Sequence, residues 1–178
     1  MLDARSGPGK RHGAAPSIRH IGIGHGELHL RALTDSDIPA IEQHFLALAP
    51  HDRQARFLST ASDEVVIAYA RELDPSRAVL IGAFDPRNVL IGLAEAHTAD
   101  ALCVVDLGVS VDAAFRRRGI GRRLVARVVA LAFARGARSA HFNFAPTNGA
   151  LSCLVQSLGA KVGPTLGHAS IDRDARAA

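Results

Sequence analysis

Residues 104–124 read VVDLGVSVDAAFRRRGIGRRL, and the arrangement of the rest of the chain follows from this stretch. An apolar, β-branched run ending at Val111 has the composition of a strand. A turn follows and becomes Arg116-Arg117-Arg118-Gly119-Ile120-Gly121, after which Ile120, Leu124, Val128 and Leu131 recur at helical spacing. That spacing predicts a long amphipathic helix over Gly119–Arg135, closed by Gly136. Glycines at 119 and 121 let a ligand come close to the backbone. The first-turn amides face outward there without helical partners, at the positive end of the helix dipole. Such a start takes a phosphate or pyrophosphate. It is not a Walker loop, since no Gly-Lys-Ser/Thr follows, and it is not the dinucleotide Gly-x-Gly-x-x-Gly.

Charge is distributed to match. From Ala113 to Ile171 the chain has no Asp or Glu, while eight Arg and Lys161 give that stretch +9. The remainder holds 12 basic residues against 17 acidic ones. A one-signed block of this length points to an anionic ligand, set against the plainer reading of a solvated helix face.

The 178 residues, 48% of them hydrophobic, suffice for one domain with its own core. Residues 1–24, rich in Gly, Pro and basic residues, are expected to be a flexible tail, and 25–178 the folded domain. With 4% aromatics and no Trp there is little material for stacking single-stranded nucleic acid, and no nucleic-acid motif accompanies the arginines. No apolar run approaches the ~20 residues of a membrane helix. Neither nucleic acid nor membrane is therefore expected as a partner, and a homodimer stays open. Cys103 and Cys153 lie in apolar contexts and are expected to be reduced and buried in a cytoplasmic protein. The nine His lack metal-ligand spacing, so no metal is expected.

Before the deciding stretch, Leu28–Leu33 alternates as a strand. A helix capped by Thr34 or Asp35 is predicted to run to about Ala49, with Ile38, Ile41, Phe45 and Leu48 on one face. Pro50 opens a short helix to Phe57, and Ser62 or Asp63 caps a third to about Leu73. Strands are expected at Ala78–Phe84, Val89–His97 and Leu102–Val111. After the long helix come a strand at Ser139–Phe144, a helix over about Asn148–Leu158 and two short strands. The order describes a mixed sheet flanked by helices, an α/β or α+β fold.

The Arg116–Gly121 segment resembles the acetyl-CoA-binding motif of the GNAT superfamily of N-acetyltransferases, Arg/Gln-x-x-Gly-x-Gly/Ala after a strand. The resemblance implies a mixed, mostly antiparallel sheet with a splayed strand pair at the acetyl-CoA site. It implies that the amides of Arg117, Arg118, Gly119, Ile120, Gly121 and Arg122 hold the pyrophosphate, beside Arg116. It further implies that the main chain at Val109 and Val111 pairs with the pantetheine arm, and that a backbone N–H near Val109 supports the acetyl oxygen. Asn148, followed by Leu151, Leu154, Leu158 and Gly159, is similar to the family's second motif, which implies a bond from Asn148 to the cofactor; a helix N-cap is the alternative for Asn148. Residues Leu48–Phe57, read as Leu-x-Pro-x-x-Arg-x-x-Arg-Phe, resemble the acetyltransferase domain of bacterial protein lysine acetyltransferases.

Acetyl transfer to an amine needs the ammonium to lose a proton. Asp106, the lone acid of LCVVDLGVSV, is the first candidate base: in the lysine acetyltransferases a glutamate stands ten residues before the Arg/Gln of the motif, and Arg116 minus ten is Asp106. Glu95 is the second, and His97 the third, with a better-suited pKa. The family's acidic Tyr, seven residues after the Asn, is Val155 here, and the single Tyr69 reads as a packing residue. The leading expectation is thus an acetyl-CoA-dependent N-acetyltransferase acting on a protein lysine. A small-amine acetyltransferase and a silent acyl-CoA-binding module are the alternatives. Acids at Asp35, Asp37, Glu42, Asp52, Asp63, Glu64 and Glu72 are expected to draw a cationic acceptor to one half of the domain.

Overall fold

The segments VLIGAF and LIGLAEAHT, apolar except for Glu95, His97 and Thr98 toward the end of the second, lie inside a sheet covered on both faces. The computed structural model describes residues 28–98, 103–163 and 167–173. The expected tail at 1–24 lies outside them. In chain order the elements are β1 (His29–Ala32), α1 (Ile38–Leu46), α2 (Pro50–Phe57), α3 (Asp63–Glu72), β2 (Val79–Phe84), β3 (Leu90–Thr98) and β4 (Val104–Val111). There follow α4 (Ile120–Ala134), β5 (Ser139–Asn143), α5 (Gly149–Ser157), β6 (Lys161–Val162) and β7 (His168–Asp172). No helix among the described residues is long and apolar enough to cross a membrane.

The strands form one seven-stranded sheet in the order β1-β2-β3-β4-β5-β7-β6. Every neighbouring pair is antiparallel except β4 and β5, which run parallel because α4 carries the chain across between them. The fold class is therefore the mixed, mostly antiparallel α/β sheet expected from the sequence.

Side chains alternate across the sheet and split the core in two. Val79, Ile81, Ala83, Ile91, Ala94 and Ala96 face α4, meeting Leu124, Val125, Val128 and Val129. Leu80, Phe84 and Leu93 face the other way, against Ile41, Phe45, Val66 and Ala70 of α1 and α3.

Local chemistry sets the element ends. Thr34 heads a short 3-10 turn at Asp35–Asp37, where the Asp37 carboxylate accepts from the Thr34 N–H at 2.9 Å and pairs with Arg31. The predicted first helix consequently starts later, at Ile38, and ends at Leu46 rather than near Ala49. Ala49 is extended, with ψ of 151°, as the residue before Pro50 must be to avoid the proline ring.

Both cysteines are exposed, which corrects the expectation that they are buried. Cys103 sits in a left-handed turn (φ 61°) ahead of β4. Cys153 lies roughly 200° around α5 from the fully buried Val155, so the apolar neighbours in sequence are on the other side of the helix.

Leu124 is fully buried where α4 meets the sheet. Leu124→Ala should cost about 2–5 kcal/mol of unfolding free energy by urea denaturation, from lost burial and the cavity left behind.

Candidate active site

Strand β4 is longer than its parallel neighbour's reach. Their register runs from Val104 opposite Ser139 to Leu107 opposite Phe142 and stops there. Beyond it, β4 continues to Val111 while β5 ends at Asn143, and Pro146 follows. The two strands part, and a groove of about 1640 Å³ opens between them and runs on past α2 and α4.

The direction of the β4 main chain in this groove follows from its pairing with β3. The Asp112 N–H donates to the Ile91 carbonyl at 2.9 Å. Hydrogen-bonded pairs alternate along an antiparallel ladder. With Gly92 opposite Val111, the even-numbered residues of β4 turn their peptide groups to β3. Val109 and Val111 turn theirs into the gap. The Val111 carbonyl accepts from Arg116 Nε at 3.0 Å, and Arg116 Nη2 meets Asp52 of α2 at 2.7 Å.

The turn after β4 aims the next helix at the same opening. Arg117 and Gly119 both take left-handed φ, 60° and 73°, which swings the chain into α4. The first helical bond joins Arg123 N–H to the Gly119 carbonyl at 3.1 Å. The amides of Ile120, Gly121 and Arg122 precede it and have no partner among the described residues. Arg116, Arg117, Gly119, Ile120, Gly121 and Arg122 line the groove. Arg118 does not: its guanidinium turns back to the Ala114 carbonyl at 3.2 Å and lies 5.3 Å from the Phe115 ring centre. Asn148 lines the groove as well, and its Oδ1 accepts from the Leu151 N–H at 3.0 Å as the N-cap of α5. Its Nδ2 is left to donate to a ligand.

The groove floor is a polar ladder on the face toward α1–α3. Glu95 stands opposite Gly108, and His97 opposite Asp106. Asp106 is exposed, whereas Glu95 is 1% exposed and forms an ion pair with Arg56 of α2. That guanidinium is also surrounded by aromatic rings, 5.4 Å from Phe45, 5.1 Å from Phe57 and 5.6 Å from Tyr69, and Arg56 Nη2 donates to the Tyr69 hydroxyl at 3.3 Å. Burial lowers the Arg56 pKa, and the neighbouring Tyr69 works the other way. Tyr69 packs as expected, edge-on to Phe45 and Phe57, but its hydroxyl also reaches the site.

Glu95 and Asp106, the two carboxylates singled out in the sequence, thus have different surroundings: one is sealed under Arg56, the other open to the groove. Arg56 was legible as part of the Leu48–Phe57 stretch, but its partner was not. Gly108 carries a signal that the sequence pattern hid. A Cβ there would lie 2.6 Å from Arg56 Nη2 and 2.9 Å from Glu95 Oε1, so a side chain at 108 would crowd the ends of both. Val155, which takes the place of the family's Tyr, is fully buried and outside the groove lining.

Four of the seven acids in the half around α1–α3 are paired, Asp37 with Arg31, Glu42 with Arg71, Asp52 with Arg116 and Asp63 with Arg53. Asp35, Glu64 and Glu72 are exposed and form no ion pair among the described residues. Leu58 and Val65, about half exposed, make the lip of the groove there apolar.

The class of protein defined by this sheet, its parted strands and the helix start between them is also found by comparison. The model of the acetyltransferase (GNAT) family matches residues 38–159, and the chain belongs to that family. Solved structures share the fold. The GNAT domain of S. lividans PAT superimposes with a TM-score of 0.68 at 19% identity, covering 83% of this chain and 91% of that one. A GCN5-related N-acetyltransferase from Kribbella flavida gives 0.64 at 26% identity, covering 82% and 97%. A GNAT superfamily phosphinothricin acetyltransferase from Sinorhizobium meliloti, in complex with acetyl-CoA, gives 0.61 at 19% identity, covering 82% and 87%. No curated protein matches the sequence significantly.

Two outcomes test the site's construction. Gly108→Ala should crowd the ends of Arg56 and Glu95 and lower stability by about 1–3 kcal/mol, the scale of overpacking a buried site, as read by urea denaturation. The second concerns His44, 5% exposed and bonded through Nε2 to Ser110 Oγ at 2.8 Å. Burial pushes its pKa down to about 4. Between pH ~6.5 and ~4 the unfolded chain takes up a proton that the folded chain refuses, so stability falls as pH drops, by about 3 kcal/mol at full extent. His44→Gln should flatten that slope in urea midpoints measured from pH 7 to 4.5.

Proposed function

We propose that the chain transfers an acetyl group from acetyl-CoA to a primary amine, with a protein lysine as acceptor. The parted strands β4 and β5, opening onto the bare amides of α4, are the observation that carries the reading. The groove suits acetyl-CoA along its length. Amides from Arg117 through Arg122, with the Arg116, Arg117 and Arg122 side chains beside them, would hold a pyrophosphate. No atom lies within 4 Å of where a Gly119 Cβ would sit, so a phosphate has free approach. Peptide groups of Val109 and Val111, lacking a strand neighbour, would bond the amides of the pantetheine arm as an added strand does. The Val109 N–H is the donor assigned to the acetyl oxygen. Bound acetyl-CoA supplies a thioester carbonyl for the amine to attack.

Asp106, exposed on the floor beside His97, is the carboxylate free to assist removal of the ammonium proton. Glu95 is committed to Arg56. The wall that an acceptor meets is α2, whose Leu48–Phe57 stretch resembles protein lysine acetyltransferases. Asp52, the acid on the groove wall, is paired with Arg116, while Leu58 and Val65 offer apolar surface to residues flanking a lysine.

Gly121→Glu should weaken acetyl-CoA binding about 10²-fold or more in calorimetry, because it puts a carboxylate where a phosphate would sit. The fold should survive, since a Cβ there meets Leu154 at an ordinary 3.6 Å. Unchanged affinity would end the acetyl-CoA reading. Asp106→Asn should slow turnover by about 10²-fold without a matching loss of acetyl-CoA affinity. In a thiol-release assay a lysine peptide should outpace a polyamine and a hydroxyl acceptor. A faster hydroxyl acceptor would overturn the amine reading; a faster polyamine would overturn only the protein acceptor.

A further inference from the structure

Glu95, His97, Asp106 and Gly108 form the corners of one rectangle on the β3–β4 ladder, with all side chains on the groove face. Glu95 is ionised, because it is buried against the guanidinium of Arg56, which keeps its charge. A carboxylate only accepts hydrogen bonds. His97 Nε2 stands 3.1 Å from Glu95 Oε2, so Nε2 carries the proton in that contact. The lone pair of the neutral ring is then on Nδ1, which has no partner among the described residues. The ring is 37% exposed and lines the groove, directly across the ladder from Asp106.

We infer that His97 Nδ1 is the atom that takes the ammonium proton of the acceptor, with Glu95 holding the ring's tautomer and Asp106 stabilising the imidazolium. This rests on the N-acetyltransferase reading above. Arg56 is then a positioning residue, acting through Glu95. In the step, an N–H bond of the ammonium breaks and an N–H bond forms at Nδ1. The nitrogen lone pair so freed attacks the thioester carbonyl. The C–S bond breaks as the new C–N bond is completed, the second proton of that nitrogen goes to the leaving sulfur, and His97 releases its proton to solvent.

His97 is surrounded by charges of both signs. Glu95 on its own strand and Asp106 on β4 favour the imidazolium, while Arg56 of α2 opposes it. Tyr69 of α3 lies behind Arg56, His141 of β5 stands beyond Asp106, and His51 and Asp52 of α2 line the same groove. Burial and then Arg56 lower the His97 pKa from its ordinary 6.5, and Asp106 partly offsets them. The ring is therefore neutral, and able to accept, at neutral pH.

The test is kcat/KM for a lysine peptide from pH 5 to 9, with acetyl-CoA binding followed by calorimetry across the same range. The acceptor enters as its ammonium, so proton transfer to neutral His97 makes log kcat/KM rise with a slope of about one below the His97 pKa and level off above it, up to the acceptor's own pKa near ~10. Where no base takes the proton, only the neutral-amine fraction reacts and the slope stays at about one up to pH ~10. The wild-type profile should therefore flatten above pH ~6.5, and nitrogen-15 spectra should show the Nε2–H tautomer of His97. In His97→Gln the slope should stay at about one throughout, with turnover at pH 8 about 10²-fold lower and acetyl-CoA affinity unchanged. A wild-type slope of about one that continues unbroken to pH 9 with acetyl-CoA still bound, or a His97→Gln variant at wild-type rate, would overturn the assignment. Should that variant not fold, the wild-type profile and the tautomer decide. Absence of both acetyl-CoA binding and thiol release would instead bring down the acetyltransferase reading beneath it, so the two failures are distinguishable.

Discussion

An arginine and a glutamate held out of water between a helix and a sheet govern how this domain is put together around its groove. Glu95 sits in the third strand with 1% of its surface exposed, and Arg56 reaches it from α2. Two charges taken out of water must find each other or destabilise the fold by several kcal/mol each. The constraint spreads outward from there. Phe45, Phe57 and Tyr69 close around the guanidinium, which ties α1, α2 and α3 to one point on the sheet. Gly108 lies directly beneath the pair, where a side chain would crowd the ends of Arg56 and Glu95. With α2 fixed in this way, its outer residues form one wall of the groove, and Asp52 is placed to meet Arg116.

A second constraint is the length mismatch between β4 and β5. Once the parallel pairing ends at Leu107, the peptide groups of Val109 and Val111 have no strand to bond. Unpaired main-chain groups in a protein interior are costly, and here they border an open groove. Arg116 meets one of them, the Val111 carbonyl. The strand edge and the amides of α4 lie on one continuous surface, apolar and extended at one end, positive at the other. An extended, amide-containing chain ending in a pyrophosphate matches that order.

These features separate the site into two chemistries. The α4 end supplies hydrogen-bond donors and positive charge for an anion. The β3–β4 floor presents titratable groups: an exposed carboxylate, a partly exposed imidazole and a carboxylate buried against a guanidinium. Glu95 and Asp106 differ in surroundings although both are single acids in apolar strands.

The sequence by itself determined the elements and the glycine- and arginine-rich start of α4. Periods of two and of 3.6 identified strands and helices, and Pro50, Ser62 and Gly136 marked boundaries, because those signals act within a few residues. The glycines and arginines of residues 116–122 were legible for the same reason: a helix start is a local object. The tertiary structure alone decided which charges meet. Glu95 and Arg56 are 39 positions apart, and no local rule links them. Nor could the sequence show that Arg31, Arg71, Arg116 and Arg53 pair with Asp37, Glu42, Asp52 and Asp63 while Asp35, Glu64 and Glu72 stay exposed. The exposure of Cys103 and Cys153 was equally hidden, since apolar neighbours in sequence need not be neighbours on the same face. The physical reason is common to all three. Burial and pairing depend on how elements pack across the sheet, and two strands placed side by side bring together residues from anywhere in the chain.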